Sequence, residues 1–290
     1  MMTVRRGVAL LACLLVAGAL LAACGGDDDG VKTSARATAT TTTDGGTPAT
    51  GESPAATTPS GTVARDAAGT DLSVVFLDGA KLATGHRRVA PTQAVARAAL
   101  EQLVAGPNAT ERDAGMTTVI SPETKVTGLS IADGVATVTL SPEMGRGYND
   151  VTLHEAMGQV VFTLTQFPTV KSVRFGAGGT EMTRADFADI TPLIFVESVA
   201  PGDTIATPVK VAGMANTFEA NVRVRILGAD GTVLADTFTT ATSGSGTWGT
   251  FAVNVPFAKG AHSTGTVVLF ESSPKDGSMV NVVEVPVAFS

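Results

Sequence analysis

The sequence predicts an α+β domain over residues 70–188 followed by an all-β sandwich over residues 189–290. Two observations carry this. Before residue 188, short apolar runs alternate with two stretches whose apolar residues recur at helical spacing. After it, apolar and polar residues alternate with period two, turn signals recur, and no helical period appears.

The first domain opens with Leu72–Leu77 (LSVVFL), a nearly continuous apolar run that reads as a central strand. Asp78-Gly79 turns the chain into a more polar strand, Lys81–Ala90. This strand carries Lys81, His86, Arg87 and Arg88, a composition expected of a solvent-facing edge open to strand addition. Pro91 and Thr92 begin a helix to about Ala105 with Val95, Ala99 and Leu103 on one face, and Gly106-Pro107 ends it. Met116–Ile120 is a short strand. Lys125–Ile131 and Val135–Leu140 form a hairpin around Asp133-Gly134. A second helix is expected over Thr152–Phe167. Thr152 and Glu155 have capping-box spacing, and Leu153, Met157, Val160, Val161 and Leu164 form its buried stripe. Val170–Phe175 is the last strand, and two helices then pack on one face of a small sheet.

In the second domain, Phe218–Ile226 (FEANVRVRI) alternates without a break, so Phe218, Ala220, Val222, Val224 and Ile226 face one side. Asp230-Gly231 leads into Thr232–Thr239. Phe251–Val255, Thr266–Phe270 and Val280–Phe289 complete the strand set. Pro286 assigns the last of these to an edge.

The chain ahead of both domains sets the expected location. Arg5 and Arg6 precede the apolar run Val8–Leu21, and Leu21-Ala22-Ala23-Cys24 closes it. Residues 1–23 therefore read as a secretory signal peptide, since the run is shorter than the ~20 residues a span needs. The closing tetrad resembles the bacterial lipobox, which implies lipid on Cys24 and a chain held on the outer face of the cytoplasmic membrane. Each buried acyl CH2 contributes about 0.8 kcal/mol, so two chains anchor stably where one does not. The other cysteine, Cys13, lies in the removed segment, leaving no cysteine free for a disulfide or a nucleophile. Residues 24–69 form the anchor and a Thr/Ser/Pro-rich tether, expected to be disordered because it has few large apolar side chains. A flexible chain of roughly forty residues spans about 35 Å r.m.s.. Such composition is also that of O-glycosylated stalks.

The net charge is -7, and no basic stripe with interleaved aromatics suggests nucleic acid. His154-Glu155 begins a zinc-protease-like helix motif, but the fourth residue on is Gly158, so the second imidazole is missing. His86 and His262 lack ligand-spaced partners. Gly176–Gly179 and Ser243–Gly246 read as turn and loop. Asp203, Asp230 and Asp276 read as turn aspartates, with a calcium site requiring several of them to converge. Trp248 either covers the sandwich edge or stacks on a sugar or partner. No catalytic residue, metal or cofactor is expected.

Four segments of the first domain resemble the GerMN domain of spore-germination and sporulation lipoproteins. They are VVFLDG (Val74–Gly79), ALEQLVAGP (Ala99–Pro107), the Asp133-Gly134 hairpin and VVFTLTQFPTVKSVRF (Val160–Phe175). Three segments of the second domain resemble the immunoglobulin-like domain of bacterial spore germination: Ala200–Gly213, Ala215–Val222 and Phe270–Ser278. The resemblance implies a fold similar to ring-building motifs, then an immunoglobulin-like sandwich. It also implies a non-catalytic envelope lipoprotein that binds other envelope proteins through assembly modules. The alternative is a module that binds cell-wall carbohydrate, which the single Trp and single Tyr disfavour.

Overall fold

The structure is a computed structural model that describes residues 69–290; the expected signal peptide, Cys24 and the expected tether lie outside the described residues. The first domain begins with the hairpin β1 (Thr70–Asp78) and β2 (Lys81–Val89). Helix α1 (Val95–Val104), a one-turn helix α2 (Ala109–Asp113) and β3 (Met116–Thr117) follow. Next come β4 (Val126–Ala132), β5 (Val135–Leu140), α3 (Asp150–Leu164), β6 (Ser172–Phe175), β7 (Glu181–Met182) and a 3-10 turn, Arg184–Phe187.

The sheet of this domain is in two pieces, ordered β2-β1-β3 and β4-β5-β6-β7. The division follows from how β1 satisfies its backbone. On the side away from β2, its first half meets α3 rather than a strand. Ser73 N–H donates to Gln166 Oε1 (2.8 Å), Val75 N–H donates to Thr163 Oγ1 (3.0 Å), and Gln166 Nε2 donates to Ser73 O (2.6 Å). Buried backbone groups need partners, and side chains supply them here. Helix α3 is also the crossover between the parallel strands β5 and β6.

Every residue from Gly158 to Leu164 is buried, so the second half of α3 is enclosed on all sides and not along one stripe. Leu153, expected in the stripe, is 39% exposed. The cap also differs from the capping box expected at Thr152 and Glu155. The helix starts earlier, and Asn149 caps it by accepting from Thr152 N–H (2.9 Å), with Asp150 in the positive first turn.

The second domain contains β8 (Ile194–Val196), β9 (Thr204–Ile205), β10 (Val209–Ala215), β11 (Asn221–Gly228), β12 (Val233–Thr240), β13 (Gly249–Val255), β14 (Thr264–Ser272) and β15 (Met279–Phe289). They form two facing sheets, β13-β10-β8 and β12-β11-β14-β15-β9. Val211, Val224, Ile226, Val267 and Leu269 fill the space between them. The strand expected from Phe218 starts three residues later. Glu219 and Ala220 take positive φ (52° and 58°), which turns the chain and leaves Phe218 exposed. Pro286 pairs with Thr266 of β14, and its carbonyl accepts from Gly202 N–H on the other side (2.9 Å). The proline nitrogen thus faces the side where no strand requires a donor, because β9 reaches only Ala288 and Phe289.

The two cores interlock at β8. Ile194 and Val196 belong to the sandwich core, whereas Phe195, pointing the opposite way, belongs to the α+β core with Phe187 and Ile190.

Candidate functional site at the domain junction

The polar strand β2 lies at the edge of its sheet, as its composition implied, but this edge is not open. The chain after the 3-10 turn runs along it. Leu82 N–H donates to Ile190 O (2.9 Å), Thr84 Oγ1 donates to Val196 O (2.7 Å), and Lys81 Nζ reaches Asp189 O (2.6 Å). The expectation of a free edge is therefore corrected over Leu82–His86, which this chain's own inter-domain segment covers, while Arg88 stays exposed.

Charged side chains lie along β2 and across the seam. The Arg87 guanidinium pairs with both carboxylate oxygens of Glu111, lies over the Phe76 ring (5.4 Å) and donates to Gly106 O (3.1 Å). Glu111 is fully buried and also caps α2. Its Oε2 accepts from Asn108 N–H (2.8 Å), while Asn108 Oδ1 accepts from Glu111 N–H (2.9 Å). Beside this pair, His86 Nδ1 meets Asp203 Oδ2 (2.8 Å) and His86 Nε2 meets Glu197 O (3.1 Å). Arg184 ties the Glu197 carboxylate (2.8 Å) while lying over Phe162 (4.9 Å). A cleft of 670 Å³ opens along the same seam, bordered by Lys81, Thr84 and Met116 on one side and Thr266, Val283 and Glu284 on the other.

The remaining sequence candidates scatter. His154 Nε2 contacts Asp189 Oδ1 (3.0 Å), a bond that holds the Asp189 carboxyl below its ordinary range. Gly158, in the place of the missing zinc ligand, is a packing position. A Cβ there would come within 2.7 Å of Ile190 Cδ1 and 3.1 Å of Phe187. Gly158→Ala should therefore lower stability by about 1–3 kcal/mol in urea melts; a neutral result would mean the segment yields freely. His262 lies 3.8 Å from Asp230.

Each turn aspartate bonds its own turn: Asp203 Oδ2 accepts from Ala200 N–H (2.9 Å), Asp230 Oδ1 from Thr232 N–H (2.9 Å) and Asp276 Oδ1 from Ser278 N–H (3.1 Å). Among the described residues, no three His, Cys, Asp or Glu side chains are placed to hold a metal ion. Trp248 is half-buried in the loop before β13. The Asn108-x-x-Glu111 spacing was the one readable signal of the buried pair. Asp203 as partner of His86, 117 residues away, had none.

Residues 73–183 match the family described as sporulation and spore germination, and residues 193–278 match the family described as the immunoglobulin-like domain of bacterial spore germination. Residues 73–183 thus match a GerMN-type domain and residues 193–278 a spore-germination immunoglobulin-like domain. Both resemblances carried by the sequence segments therefore hold, in the same order. The GerMN–immunoglobulin-like chain is similar to the tandem GerMN domains of the sporulation protein GerM from Bacillus subtilis. That match is 15% identical, covers 64% of this chain and 62% of that one, and has a TM-score of 0.36. The chain thus spans less than two thirds of that structure. It is also similar to the first GerMN domain of the same protein (21% identity, 40% of this chain, 95% of that one, TM-score 0.32). A Clostridium perfringens protein provisionally assigned as a lipoprotein matches at 17% identity, over 43% of this chain and 83% of that one, with a TM-score of 0.27. No curated protein matches the chain. Among the described residues, no helix is long and apolar enough to cross a membrane.

Proposed function

We propose that this protein is a non-catalytic lipoprotein, anchored through Cys24 on the outer face of the cytoplasmic membrane, that binds other envelope proteins as an assembly module. The observation that carries this reading is the order of parts: a tetrad that resembles a lipobox and a Thr/Ser/Pro-rich stretch, then segments matching two sporulation and germination families. Interlocked cores support it as well, because a rigid pair presents a fixed surface to a partner. Exposed apolar side chains offer partner contact on the sandwich, where Val233 and Phe238 of β12 and Met279 and Val282 of β15 are exposed; Phe238 is 60% exposed.

Two measurements test this. Cys24→Ala should move the protein from the membrane fraction to the soluble fraction, and the wild-type N-terminus should carry diacylglycerol by mass spectrometry. An unmodified terminus at another residue overturns the anchor. In-cell photo-cross-linking from position 238 should trap discrete envelope proteins that a tether position such as Thr57 does not trap. Capture of wall polymer alone would instead favour carbohydrate binding.

A further inference from the structure

His86 sits between two oxygens of the sandwich-side segment, Asp203 Oδ2 at 2.8 Å from Nδ1 and Glu197 O at 3.1 Å from Nε2. A carboxylate and a carbonyl can only accept, and a neutral imidazole carries a single N–H. In either neutral tautomer, one of these contacts sets a bare ring nitrogen against an oxygen lone pair. Imidazolium alone donates at both. His154 and His262 differ: His154 bonds a single carboxylate, which one N–H satisfies, and His262 lies 3.8 Å from one.

We propose that the domain junction is a proton-operated clamp in which the His86 imidazolium, bonded at both nitrogens, holds the sandwich segment against β2, and its deprotonation loosens that seam. The charged groups around it come from several elements. Asp203, before β9, is in contact. Glu111 of α2 adds negative charge but is committed to Arg87, the neighbour of His86 on β2. The Glu197 side chain is committed to Arg184. On β2, Arg88 pairs outward with Asp71 of β1, and the residue opposite His86 on β1, Ser73, is uncharged. Burial alone would pull the imidazole pKa down. The hydrogen bond and charge of Asp203, with the Glu197 carbonyl and the Glu111 charge, override it, and the value lies above the ordinary 6.5. A group whose pKa is raised in the closed state stabilises that state fully below its open-state pKa. The contribution fades as pH rises from 6.5 through the raised value.

The test uses the full chain in detergent micelles with 15N-labelled histidine. Imidazole 15N shifts at pH 6 should show both His86 nitrogens protonated, with a titration midpoint above that of a histidine peptide. In parallel, exchange of the Leu82 amide, whose bond crosses the seam, is corrected for the intrinsic pH dependence. Its opening constant should rise with pH, tenfold for each unit separating the closed and open pKa values. His86→Gln should remove that pH dependence, and Asp203→Asn should lower the midpoint. A pH-6 spectrum with one bare nitrogen overturns the clamp, and so does an opening constant that is flat from pH 5 to 9 or unchanged in its pH dependence in His86→Gln. The spectrum of the unaltered chain decides even where a variant fails to fold. Loss of the clamp would leave the membrane and cross-linking results untouched, so the two readings fail separately.

Discussion

Glu111→Ala should lower stability by about 3–5 kcal/mol, among the largest single losses expected in this protein. The carboxylate lies inside the α+β domain with its oxygens divided between the Arg87 guanidinium and the Asn108 amide. The Arg87 side chain is itself only 11% exposed. Truncation strands a buried cation, removes the reciprocal cap of α2 and opens a void beside Gly85. The cost comes from leaving one partner behind, not from the net worth of the pair. Glu111→Leu combined with Arg87→Met should therefore recover much of the loss. Urea melts of the three chains check this. A deficit under about 1 kcal/mol for Glu111→Ala would mean that water reaches Arg87 and satisfies it.

The elements that the sequence made legible are those whose burial follows a simple period or whose turns are marked. β1 holds a nearly continuous apolar run, β5 alternates, and the Asp-Gly turns at 78–79 and 133–134 fall where the hairpins bend. Legibility failed where a residue answers to a distant neighbour. Gly213 reads as punctuation in VKVAGMA, yet it lies inside β10 because a Cβ there would come within 2.0 Å of Phe195 O on the adjoining strand. Gln159 and Thr163 look like breaks in an apolar helix face but are buried, Gln159 accepting from Thr118 Oγ1 and Thr163 from Val75 N–H. The charges on β2 pointed to solvent by composition, whereas His86 and Arg87 have partners brought in by the tertiary fold. The functional reading rests on recognisable segments of core and turn. These segments specify fold, whereas the seam is built from partners that only the tertiary fold brings together.

Phe195→Ala should lower stability by about 3–5 kcal/mol and, more tellingly, split the unfolding of the protein. β8 is three residues long and serves both cores: Ile194 and Val196 face the sandwich, while Phe195 inserts edge-on against Phe162 of α3, with centroids 5.1 Å apart at 78°. Such a pair adds about 0.5–1.5 kcal/mol beyond the area it buries. Its loss leaves a cavity next to the guanidinium of Arg184, which lies over Phe162 and holds Glu197 on the far side of the seam. The backbone bonds of β8 to β10 remain, so the sandwich keeps its three-stranded sheet while the α+β domain loses its anchor in it. Hydrogen exchange should then report different opening free energies for Val160 of α3 and Val224 of β11, where the wild-type chain should give the same value for both. If Phe195→Ala keeps those values equal and loses less than about 1 kcal/mol, the domains are joined by the hydrogen bonds along β2 and not by this ring.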